Sequence, residues 1–181
     1  RRVLFRSWDV STITDMAKIF HGASSFNGEI SKWDVSKVTT MNSMFLGAVE
    51  FNGGISKWDV SSVIDMSLMF WRSAAFNCDL SKWDVSSVTL TTSMFRDATS
   101  FKGNRWKWDL SGVTNMRMMF RDAKSLNCDL SKWNVLKVAT MASMFHTATS
   151  FNGNMTTWGV SNVTDMAEMF FNAESFNHDI S

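Results

Sequence analysis

Residues 33–57 read WDVSKVTTMNSMFLGAVEFNGGISK, and the same skeleton recurs throughout the chain, with Trp8, Trp33, Trp58, Trp83, Trp108, Trp133 and Trp158 each 25 residues from the next. Self-similarity at a period of roughly 20 to 50 residues marks a stack of supersecondary units, because one such unit cannot bury its own apolar face. The 181 residues therefore read as one repeat array, 1–181, with seven coils opening near those tryptophans.

Within the quoted unit the apolar set is Trp33, Val35, Val38, Met41, Met44, Phe45, Ala48, Phe51 and Ile55. Trp33 and Val35 alternate with Asp34, a period of two that predicts a short strand with one buried face. Met41, Met44, Phe45 and Ala48 fall at i, i+3, i+4 and i+7, which predicts one face of a short helix. Thr14, Thr39, Thr89, Thr114 and Thr164 stand just before that helix as N-cap hydroxyls, and Asp15, Asp65 and Asp165 follow near the positive end of its dipole. Seven positions after that capping site come His21, Arg96, Arg121 and His146, near the negative end. Asn27, Asn52, Asn77, Asn127, Asn152 and Asn177 mark the return loop, where an amide can bond exposed backbone of its own or the adjacent coil. The expectation is an α/β stack of strand, loop and short-helix coils.

The run from Phe76 to Phe95 follows the pattern F-N-x-D-I-S-x-W-D-V-S-x-V-T-x-M-x-x-M-F-x-x-A almost completely. It resembles the repeat of BspA-like surface proteins, divergent relatives of leucine-rich repeats, and the resemblance extends over residues 8–181. It implies a right-handed leucine-rich-repeat-like solenoid, a cell-surface or secreted setting, and an adhesive or binding role. It implies no catalytic residue.

Composition closes off other classes. A chain that is 45% hydrophobic and 19% charged, with a net charge of +1, is a folded protein without the bulk positive charge of a nucleic-acid binder. No apolar run approaches the roughly 18 to 20 residues that a membrane-spanning helix needs. The opening Arg1-Arg2-Val3-Leu4-Phe5 and the stop at Ser181 in mid-repeat give the expectation of a fragment of a longer array. Cys78 and Cys128 share one phase two coils apart, about 10 Å at the spacing of stacked strands, beyond the roughly 7 Å Cα separation a disulfide spans. His21 and His146 share a phase five coils apart, and His178 lies at another, so no metal site forms from them. Asn77, Asp79 and Ser81, echoed by Asn127, Asp129 and Ser131, offer oxygen ligands for calcium, but Asx turns explain them without metal. No cofactor, metal or catalytic constellation is expected.

The candidate binding residues are of two kinds. Lys32, Lys57, Lys82, Lys107 and Lys132 form one outward row beside Asp9, Asp34, Asp59, Asp84 and Asp109, a charge lattice that is either a self-neutralised solvated face or a repeated contact for a partner. Irregular residues supply what a repeated row cannot: Trp71 and Phe171 are large aromatics where other coils carry Leu, His or Arg, and Arg105 and Trp106 stand in place of a core aliphatic and a serine. A local bulge is expected to turn Arg105 or Trp106 outward, since an unpartnered guanidinium in a core is costly. Thr91, in place of a core methionine, is expected to mark a looser coil. The sequons at Asn154 and Asn162 permit glycosylation in a secreted chain. The functional expectation is thus a non-catalytic surface for adhesion or for a protein or polysaccharide ligand. The alternatives are a scaffold subunit whose ends are covered by neighbouring chains and, more remotely, an ice-binding hydroxyl array on the threonine row, which lacks the Thr-x-Thr strand pattern.

Overall fold

The structure, a computed structural model, describes residues 7–103 and 107–178. Arg105 and Trp106, and the bulge expected there, lie outside the described residues. Successive coils are joined by parallel bridges at one position per coil: Asp15 to Thr40, Thr40 to Asp65, Asp65 to Leu90, Leu90 to Asn115, Asn115 to Thr140 and Thr140 to Asp165. The 25-residue period is therefore a physical stacking of one coil on the next.

The secondary structure differs from the expectation. Among the described residues there is no α-helix and no extended strand, and the bridges are isolated. The α/β reading, and with it the leucine-rich-repeat-like solenoid of strand, loop and helix, is overturned: the coils are built from turns. The backbone of residues 41–48 gives the reason. Ser43 has φ 55° and Gly47 φ 71°, left-handed conformations that no α-helix contains. The amides of Met41, Ser43, Phe45 and Gly47 donate not four residues back but to the carbonyls of Asp65, Ser67, Met69 and Trp71 in the next coil, at 2.9, 2.9, 2.9 and 2.7 Å. The amides between them, of Met44, Leu46 and Ala48, donate three residues back within the coil. Alternate amides thus serve turns and coil-to-coil stacking.

The same pair of left-handed positions recurs in every coil. Left-handed residues stand at Lys18, Ser43, Leu68, Ser93, Met118, Ser143 and Glu168, and four positions on at Gly22, Gly47, Arg72, Asp97, Asp122, Thr147 and Asn172. Each non-glycine member costs about 1 to 2 kcal/mol, which the coil-to-coil bonds and the packing beneath must offset. The predicted strand also resolves into turns. Trp33 and Val35 are buried and Asp34 exposed, as the alternation requires, but Trp33 donates to the Ile30 carbonyl and Val38 to the Val35 carbonyl across three residues.

Aromatic columns fill the interior. Phe45, Phe70, Phe95, Phe120, Phe145 and Phe170 stack in order with ring centroids 5.7, 5.4, 5.7, 5.7 and 5.6 Å apart. Trp8 lies over Trp33 at 6.4 Å, and Trp108, Trp133 and Trp158 follow one another at 6.3 and 6.4 Å. The indole N–H of Trp58, Trp83, Trp108 and Trp158 donates 28 residues back, to the carbonyls of Ile30, Ile55, Leu80 and Leu130. A buried indole N–H needs such a partner, and here it also ties adjacent coils. Thr91 is buried in the methionine column and its hydroxyl donates to the Asn115 carbonyl at 3.2 Å.

Candidate binding surfaces

The asparagine column behaves as its amides suggest. Asn52, Asn77 and Lys102 donate their backbone N–H to the side-chain oxygens of Asn27, Asn52 and Asn77, and Asn152 and Asn177 to those of Asn127 and Asn152. At Lys102 the ladder changes: Asn127 donates to the Lys102 backbone carbonyl instead. The Thr residues cap no helix. Thr39 and Thr164 donate their hydroxyls to the carbonyls of Thr14 and Ala139 in the preceding coil. The turn is opened by the next residue, as where Asp15, Asp65 and Asp165 accept the amides of Ala17, Ser67 and Ala167.

The two charged rows are both exposed, and they differ in what they are free to do. Oδ1 of Asp9, Asp34, Asp59 and Asp84 accepts both the amide and the hydroxyl of the serine two residues on, at 3.1 Å and 2.6 to 2.7 Å, and Asp109 accepts the Ser111 amide. The Ser11, Ser36 and Ser86 hydroxyls, and then their amides, hold the carboxyls of Asp9, Asp34 and Asp84 below the usual carboxylate value, as the Ser111 amide does for Asp109. The aspartates are turn residues first. Among the described residues no lysine of the row, Lys32, Lys57, Lys82, Lys107 or Lys132, makes an ion pair within 4.0 Å; the ion pairs there involve Arg72, Arg96, Arg121 and His146. The row thus presents one exposed ammonium per coil.

Trp71 is half-buried rather than free. Its ring lies under the guanidinium carbons of Arg96 and Arg72, at 4.8 and 5.2 Å, and its indole N–H donates to Asp97 Oδ2 at 2.8 Å. The Nε atoms of Arg96 and Arg72 lie 3.6 and 3.9 Å from the same oxygen. One coil further, Arg121 Nε pairs with Asp122 Oδ2 at 3.3 Å. Trp71 is therefore held inside a guanidinium clamp. Phe171 is 54% exposed and stacks on the His146 ring at 4.9 Å, in the same column. His146 Nδ1 shares a 2.8 Å hydrogen bond with the Thr147 hydroxyl, and Nε2 is 3.9 Å from Glu168. The structure brings Trp71, Arg96, Arg121, His146 and Phe171 onto one edge of the stack, and the lysine row follows another phase of the repeat.

Both thiols are free, and burial pushes Cys128 up to about 12 and raises Cys78. Asp79 and Asp129 accept the Ser81 and Ser131 amides in Asx turns.

One feature escaped the sequence reading. The aspartate row ends after Asp109, where the next two coils carry Asn134 and Gly159, and Leu136 replaces the serine of the turn. Leu136 is 52% exposed and borders a shallow groove of about 320 Å³ lined also by Ser131, Lys132, Asn134, Thr157 and Gly159. The signal was present: two successive breaks in a row that five coils had kept.

Among the described residues no helix is long and apolar enough to cross a membrane. No curated protein matches the chain. A family described as Mycoplasma protein of unknown function, DUF285, matches it twice, over residues 3–107 and 102–181. The chain belongs to this family.

Proposed function

We propose that this member of the DUF285 family is a non-catalytic array that holds a long partner, protein or polysaccharide, through many weak contacts repeated once per coil. One observation carries the reading: five exposed lysines, one per coil, are left unpaired beside aspartates whose Oδ1 oxygens are engaged in turns. The finer resemblance to BspA-like surface repeats supports it and adds a cell-surface or secreted setting. The edge carrying Trp71, Arg96 and Arg121 supplies landmarks that differ from coil to coil, which a uniform row cannot, and so supports a fixed register. The test is retention of the protein and of a Lys32→Ser/Lys57→Ser/Lys82→Ser variant on immobilised acidic and neutral polysaccharides and on acidic protein, at increasing salt. Three exposed pairings at about 0.2 to 1 kcal/mol each predict a loss of roughly 0.6 to 3 kcal/mol and a weaker salt dependence. Identical retention of both proteins on every surface contradicts the reading.

A further inference from the structure

We propose that the groove beside Leu136 is a subsite for one carboxylate-bearing sugar unit of a linear acidic polysaccharide, a proposal that rests on the array reading and names its ligand class. Three substitutions cooperate there. Asn134 and Gly159 remove two successive carboxylates from the aspartate row, so that the exposed Lys132 and Lys137 keep only Asp129 and Asp109 as acidic neighbours. Of these, the Asp129 Oδ1 is engaged, accepting the Ser131 amide at 2.9 Å. Asn134 preserves the turn, because its Oδ1 accepts the Leu136 amide at 3.2 Å, while among the described residues its NH2 group has no protein partner. The charge is deleted and the local backbone kept.

Leu136 and Gly159 form a matched pair. A Cβ on Gly159 would lie 2.6 Å from Leu136 Cδ2, so the leucine occupies space that an aspartate would need. An exposed aliphatic side chain thus replaces a serine at the edge of a groove flanked by an ammonium, an amide and hydroxyls. This is the complement of an acidic pyranose: the carboxylate meets Lys132, the apolar C–H face of the ring lies on Leu136, and ring hydroxyls meet Asn134 and Ser131. Thr157 borders the groove with its hydroxyl donated to the Ser131 carbonyl, which fixes that wall.

The lining favours sugar over peptide: an exposed aliphatic side chain beside an ammonium, an amide and hydroxyls matches a ring that carries a carboxylate, an apolar C–H face and hydroxyls together.

The experiment is calorimetric titration with an oligogalacturonate, a neutral oligosaccharide of equal length and poly-glutamate. The proteins are wild type, an Asn134→Asp/Leu136→Ser/Gly159→Asp variant that writes the earlier coils' pattern into the groove, and the triple-lysine variant. The expected result is oligogalacturonate binding that falls about tenfold in the groove variant, with no binding of the neutral chain. If the groove variant does not fold, Asn134→Asp alone keeps the turn and should weaken binding about threefold. Full affinity in the groove variant with loss in the lysine variant overturns the subsite and leaves the array reading standing. Loss in the groove variant with full affinity in the lysine variant overturns the array reading, and with it the placing of the groove as one subsite of a longer row. Poly-glutamate binding as tight as oligogalacturonate overturns the sugar assignment, and no binding by the wild type to any acidic chain overturns both.

Discussion

At the scale of single residues, backbone conformation decides more than side-chain chemistry. Twelve described non-glycine residues have positive φ, and Thr147, at φ 57°, is the β-branched one among them. Two earlier coils place Gly22 and Gly47 at the same phase, so a glycine fits the turn there. Thr147→Gly should therefore stabilise the protein by up to about 1 kcal/mol, part of the relief being offset by lost contacts and greater freedom of the unfolded chain. A chemical-denaturation midpoint that rises at unchanged slope checks this. The aspartates give a second prediction. Asp9, Asp34, Asp84 and Asp109 have folded carboxyl pKa values below the unfolded one, so their contribution is present above the unfolded value near 3.8 and is lost as pH falls through the lower folded values. Denaturation midpoints compared at pH 6 and pH 3 should fall less for Asp34→Asn/Asp84→Asn than for the wild type, since Asn134 shows that an amide sustains the same turn.

At the scale of the element, the turn segment explains both what the sequence reveals and what it conceals. The set Met41, Met44, Phe45 and Ala48 is buried on one side as its spacing requires. Consecutive three-residue turns return the chain to the same side about as often as an α-helix does, so the apolar period cannot separate the two. What separates them is the destination of alternate amides, a coil away and invisible in local sequence. The Thr-Asp pair reads as a helix cap for the same reason: an oxygen accepting the amide two residues on serves a turn as well as a helix start. The aromatic columns and the asparagine ladder were legible because each follows from identical residues stacked in register. The groove at Leu136 is not legible in the residues that keep the row, because only the breaks at Asn134, Leu136 and Gly159 mark it. Phe70 tests the packing of this element: its ring is fully buried, 3.9 Å from Phe76 and stacked between Phe45 and Phe95. Phe70→Ala should cost roughly 3 to 5 kcal/mol, and Phe170→Ala in the half-buried terminal position should cost less, as paired denaturation curves will show.

At the scale of the whole molecule, the stack is a sum of neighbouring interfaces, each made of coil-to-coil amide bonds and a phenylalanine overlap. The proposed binding through one contact per coil draws on that repetition, and the proposed subsite on the places where it fails. The central claim is that the Met-rich segment of each coil bonds to the next coil rather than to itself. The most direct measurement is the through-hydrogen-bond scalar coupling between amide nitrogen and carbonyl carbon in a uniformly labelled sample. The Phe45 amide should couple to the Met69 carbonyl, and the Ser43 amide to the Ser67 carbonyl, across the 2.9 Å bonds seen in the structure. Coupling of Phe45 to the Met41 carbonyl, four residues back, would restore the helix and contradict the turn-built stack.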